Sequence, residues 1–138
     1  RLLRLWQLVT VIREWRGDGH IALLVADGLD GAQCTVVSDV MTGRTGRIRT
    51  SRAWGDDDWN RAVTALTERG WLGDDGDLTD EGRERRADIE RRTNVDSIPL
   101  WTTVGEAEAT RFAELLAPAT KALLAANYFA AIGRPAKA

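Results

Sequence analysis

Apolar residues at helical spacing, stopped repeatedly by glycine, constrain this chain most. In "WGDDDWNRAVTALTERG", Trp59, Ala62, Val63 and Leu66 fall on one face of a helix over residues 56–69. Gly55 or Asp56 can cap it, Asp57 and Asp58 suit its positive end, and Gly70 stops it. Residues 2–15 repeat the pattern through Leu2, Leu5, Trp6, Val9 and Ile12. The two glycines of "RGDGH" end that helix. "IALLVADG" then reads as a short buried helix closed by Gly28, and "LDGAQCTVVSDVMTG" as a turn and another short helix.

"RTGRIRTSR" reads as an extended loop or short strand. It carries Arg44, Arg47, Arg49 and Arg52 with no acid among them. After Gly70, Trp71-Leu72, an acidic turn and Leu78-Thr79 predict a small hairpin with "DDGD" at its tip. A helix then runs to about Thr93, with five arginines and five acids between Asp80 and Arg92. "NVDSIPLW" reads as a linker. A long helical segment follows from Glu106 to about Ala131, kinked or divided at Pro118, with a frayed "GRPAKA" tail.

This is the order of a winged helix-turn-helix: mainly α with a small β wing and flanking helices. The expected parts are a flanking helix over 1–19, a core over 20–93 and a helical extension over 94–138. "AVTALTERGWLGDDGDLTDEGRER" resembles the recognition helix, wing and following helix of MarR-type regulators, over roughly residues 20–93. "LWQLVTVIREWRGDGHIALLVADGLDG", "WGDDDWNRAV" and "ERGWLGDDGDLTDEGR" together resemble the actinobacterial SalK-type proteins, which are MarR-related, over nearly the whole chain. That resemblance implies the C-terminal part of a longer parent, and a start at Arg1 agrees with it. It also implies transcription regulation, duplex DNA as partner and a small aromatic effector held near Trp15, Trp54 and Trp101. Flanking helices would form a homodimer or pack on a missing N-terminal region.

Charge opposes the DNA role. A reading helix brings its first turns to base edges and phosphates. Here Asn60, Arg61 and Thr64 could read bases, behind Asp56, Asp57 and Asp58. From Trp54 to Gly82 there are nine acids and two arginines. The wing tip holds Asp74, Asp75 and Asp77 and lacks the arginine of the MarR pattern. Arg47, Arg49 and Arg52 could neutralise phosphate, or pair with these aspartates. The alternative is a ligand-binding or protein-interaction module without DNA contact. The whole chain, at net charge −2, has no general attraction to polyanions.

No other chemistry is indicated. The aspartates lack the alternating spacing of a calcium loop, so no metal is expected. His20 reads as a cap or turn residue, and Cys34 as a buried thiol. "RGDGH" and "TGRTGR" lack the lysine and spacing of a phosphate loop. No catalytic residue, cofactor or enzyme activity is assigned. A single cysteine excludes an internal disulfide and fits a reducing, cytoplasmic setting. No apolar run reaches ~18 residues, so no membrane partner is expected. The six tryptophans read as core, or as an aromatic-lined pocket or contact surface.

Overall fold

The computed structural model describes residues 1–44 and 46–126. Six helices follow one another: α1 (Leu2–Ala26), α2 (Gly31–Met41), α3 (Arg47–Ser51), α4 (Asp56–Glu68), α5 (Asp80–Val104) and α6 (Glu106–Ala125). They fall into two units, residues 1–97 and 98–138.

The first unit is built on α2 and α4. A reciprocal box starts α2: the Gln33 backbone N–H donates to Asp30 Oδ1 at 2.8 Å, and the Asp30 N–H to Gln33 Oε1 at 3.0 Å. Thr35, Val36 and Val37 have modest helix propensity, but all three are buried, and packing outweighs the few tenths of a kcal/mol involved. Leu29, Val36 and Val37 meet Ala62 and Leu66 of α4, with Trp71, Leu72, Leu78 and Ile89 closing the core. Asp39, also buried, accepts the Gly46 N–H at 2.9 Å and ties the end of α2 to the start of α3. The turn from α3 to α4 passes through Ala53, at φ 55°, to Gly55, the N-cap of α4.

The winged fold is corrected here. Among the described residues there is no β-strand, only an isolated antiparallel bridge between Leu72 and Leu78. The reason is length. Gly70, at φ +73°, ends α4, and Thr79 already caps α5 by accepting the Gly82 N–H at 2.9 Å. Leu78 is therefore the whole return arm. Its turn is held by the Gly73 N–H on the Asp77 carbonyl and the Thr79 N–H on the Trp71 carbonyl, at 2.9 and 3.0 Å.

Three other segments differ from expectation. α1 runs unbroken through "RGDGH", so His20 is mid-helix rather than a cap. A glycine in a helix costs only about 1 kcal/mol, and contacts to α5 flank this stretch. Arg16 donates to Glu90 at 2.8 Å, and His20 Nδ1 lies 2.9 Å from Thr93 Oγ1. The arginine segment forms the short helix α3 rather than a loop or strand. The expected linker is helical, with Pro99 inside α5.

The second unit holds the end of α5, a turn at Gly105 (φ +91°) and α6, which continues through Pro118. Phe112 and Leu116 are partly buried, and Leu115 and Leu123 are exposed. The expected continuation to Ala131 and the "GRPAKA" tail lie outside the described residues.

Two glycines give opposite expectations. A Cβ on Gly82 would stand 2.2 Å from the Trp71 carbonyl oxygen, a backbone atom, whereas one on Gly19 would meet nothing within 4 Å. Gly82→Ala is expected to lose about 1–3 kcal/mol or more. Gly19→Ala is expected to gain about 0.5–1 kcal/mol. Urea unfolding midpoints of the two variants check both signs.

Candidate functional site

α3 and α4 form a helix-turn-helix against α2. On α4, Asn60, Arg61 and Thr64 are all exposed and share one face. That face lines an open cleft of about 930 Å³ between α4 and the start of α2. The cleft also carries Asp30, Asp57, Asp58 and Glu68, four carboxylates against the one guanidinium of Arg61. Such a wall repels phosphate and favours cationic groups.

The nearby arginines are turned onto carboxylates. Arg61 pairs with Asp58, one turn back on its own helix. Arg49 pairs with Asp56 at the start of α4, and its guanidinium stacks over Trp59 at 4.9 Å. Arg44 reaches the turn after α4, donating to Asp77 Oδ1 at 2.5 Å and to the Asp75 carbonyl at 3.3 Å. Arg47 opens α3, and Arg52 closes it, exposed. The structure thus gathers Asn60, Arg61 and Thr64 on one face and commits Arg49 and Arg61 to acids beside it.

The three tryptophans expected around an effector have separate settings. Trp54 stands at the cleft, partly buried, with its indole N–H donating to Thr35 Oγ1 at 3.0 Å. Trp15 lies exposed on α1, its N–H on the Asp96 carbonyl at 3.3 Å. Trp101 belongs to the second unit. Of the others, Trp71 is fully buried, Trp59 packs on the core and Trp6 is exposed.

A polar cluster joins α1 to α5. The Thr93 hydroxyl donates to the Ile89 carbonyl at 2.8 Å, so its free lone pair accepts the Nδ1–H of His20. His20 Nε2 then faces Glu90 Oε1 at 3.8 Å, an oxygen already held by Arg86 at 2.6 Å. Burial first, then the positive charge of Arg86, holds His20 below the ordinary imidazole value, although Glu90 pulls the other way. Burial raises Glu90, but hydrogen bonds from Arg86 and Arg16 outweigh it and leave its carboxyl below the usual range. Burial, followed by the charge of Asp30, raises the half-buried Cys34 thiol, which makes it a poor nucleophile.

Two tethers were missed in the sequence. Arg69 donates to the Asp27 and Gly28 carbonyls at 2.7 Å each, capping the end of α1. Arg92 donates to Asp27 at 2.6 Å. Arginine near a helix end signals nothing specific until the partner helix is known.

The chain matches a helix-turn-helix family over residues 1–130. It belongs to that family. No curated protein and no solved structure matches it. The narrower expectation, a MarR-like or SalK-type winged regulator, is overturned by the lack of any strand among the described residues. Among the described residues of this helix-turn-helix protein there is no β wing. Among its described residues no group of acidic, histidine or cysteine side chains could hold a metal, and no single helix is long and apolar enough to cross a membrane.

The His20 cluster sets a pH dependence. Its folded pKa lies below 6.5, so the unfolded state takes up the proton first as pH falls. The contribution of neutral His20 is full above 6.5 and is lost on acidification below it. Glu90, held below 4.5, loses its contribution only at lower pH. Melting temperature is expected to fall from pH 7.5 to 5.5. Thermal melts of His20→Gln across this range should show a shallower fall.

Proposed function

We propose that this helix-turn-helix protein acts through protein contact and not by reading duplex DNA. The observation that carries this is the start of α4, where Asp56 and Asp58 hold Arg49 and Arg61, with Asp57 exposed between them. Binding to duplex DNA rests on lysine and arginine released onto phosphate. Here those cations would first have to leave carboxylates, and the carboxylates would then face the phosphates.

The proposed contact surface is α1. Leu2, Leu3, Leu5, Trp6, Leu8, Val11, Trp15, Ile21 and Val25 are all exposed on this helix. Monomeric proteins rarely expose a contiguous apolar patch beyond a few hundred Å². The acidic cleft gives a partner a second, electrostatic feature. A partner would recognise apolar surface on α1 and cationic groups at α4.

Fluorescence anisotropy with a mixed-sequence duplex tests this reading. At ~50 mM salt, where phosphate contacts are strong, no binding is expected at micromolar protein. The variant with Asp56→Asn, Asp57→Asn and Asp58→Asn is expected to acquire weak binding that falls steeply with salt, because Arg49 and Arg61 are released. Steep, salt-dependent binding by the unmodified protein would refute the proposal.

A further inference from the structure

The cleft beside α4 carries its charges at fixed positions. Asp57, Arg61, Thr64 and Glu68 follow one another at spacings of four, three and four residues, which sets them in one stripe along the helix. All four are exposed and line the cleft. Asp57 and Glu68 form the two ends of the stripe, about 16 Å apart at the rise of an α-helix. Neither has an ion-pair partner among the described residues, whereas Arg61 between them is held by Asp58. Trp54 lines the same cleft.

The opposite wall, on α2, adds a demand of another kind. Gln33 is only 8% exposed, and it lines the cleft. Its Oε1 accepts the Asp30 N–H. Its Nε2 donates to no group among the described residues, yet it is not sealed from solvent. A buried side chain thus offers an unused N–H donor at the cleft, and a cation cannot accept it. Two requirements meet in one place: cations for Asp57 and Glu68, and a neutral acceptor for Gln33.

From these observations we infer that the cleft takes an extended basic segment of a partner protein, with two arginine or lysine side chains four residues apart. The inference rests on the reading of this protein as acting through protein contact, and it names the partner's chemistry at α4. In an extended chain, residues four apart point to the same side with about 13 Å between them. Long basic side chains cover the remaining distance to Asp57 and Glu68. A main-chain carbonyl between them accepts from Gln33. The ring of Trp54 favours guanidinium over ammonium. A polyamine brings the cations without an acceptor. A phosphate brings acceptors but meets the carboxylates. A metal ion needs several ligands together, and no such group exists among the described residues.

NMR titration of the labelled chain tests this. The probe is a heptapeptide with blocked ends, arginine at its second and sixth positions and alanine elsewhere. At low salt a dissociation constant on the order of 1 mM is expected, as for a few exposed contacts. The side-chain amide signal of Gln33 and the indole N–H of Trp54 should move together with the backbone signals of Asp57 and Glu68. Asp57→Asn and Glu68→Gln should each weaken binding about 2- to 5-fold, the scale of exposed ion pairs. Their circular dichroism spectra should match the unmodified chain, which separates lost binding from lost folding. Spermidine carries more charge than the peptide but no acceptor. It is expected to bind more weakly and to leave the Gln33 side-chain signal in place.

Unmoved Gln33 and Trp54 signals at ~5 mM peptide, well above the expected dissociation constant, would overturn the inference. So would peptide binding insensitive to both variants. Tighter binding of spermidine than of the peptide would overturn it in favour of a site that reads charge alone. The anisotropy experiment judges the underlying reading separately. If peptide and duplex DNA both fail to bind, the cleft inference falls alone and the contact reading stands on α1. Binding of duplex DNA removes both.

Discussion

The structure turns on the contact between the Trp71 carbonyl and Gly82. The Trp71 ring is fully buried in the core, which fixes its backbone at the end of α4. Its carbonyl accepts the Thr79 N–H, and α5 passes so close that a Cβ at residue 82 would overlap it. This joins the end of α4 to the start of α5 with eight residues between Trp71 and Asp80, most of them turn. No length is left for a ladder. The same closeness brings Ile89 over the core and presents Glu90 and Thr93 to α1.

The charges follow from that frame. Exposed ion pairs contribute little to stability, about 0–1 kcal/mol each, so the arginine–aspartate pairs around α4 are not what holds the fold. Their consequence is electrostatic. Arg44 is drawn to the turn, Arg49 to the start of α4 and Arg61 along it. The cleft beside them keeps an excess of carboxylate. A helix-turn-helix can thus keep its shape while its surface electrostatics turn away from phosphate. On α1 the order is reversed: a polar tether through Arg16 and His20 holds the helix to α5, while much of its apolar surface stays exposed.

Much of this was legible in the sequence. The aspartates, the apolar face and Gly70 marked α4 almost to the residue, because propensity, helix dipole and burial all agreed there. Their charge against DNA, and the arginine segment as their internal partner, could also be read. The misreadings share a cause: local signals yielded to contacts that local spacing does not encode. Gly17 and Gly19 predicted a break, but α5 holds α1 on either side of them. Leu72 and Leu78 predicted a hairpin, and one bridge formed, but the cap at Thr79 cut its return arm to one residue. The box of Asp30 and Gln33 was a signal within reach, and it would have made α2 certain despite its β-branched residues.

The exposed face of α4 is proposed not to meet duplex DNA. Amide chemical-shift mapping by NMR, with a labelled sample titrated with a mixed-sequence duplex, probes that face residue by residue. The signals of Asn60, Arg61 and Thr64 are expected to stay in place. Salt-dependent shifts at these three residues on adding DNA would contradict this reading.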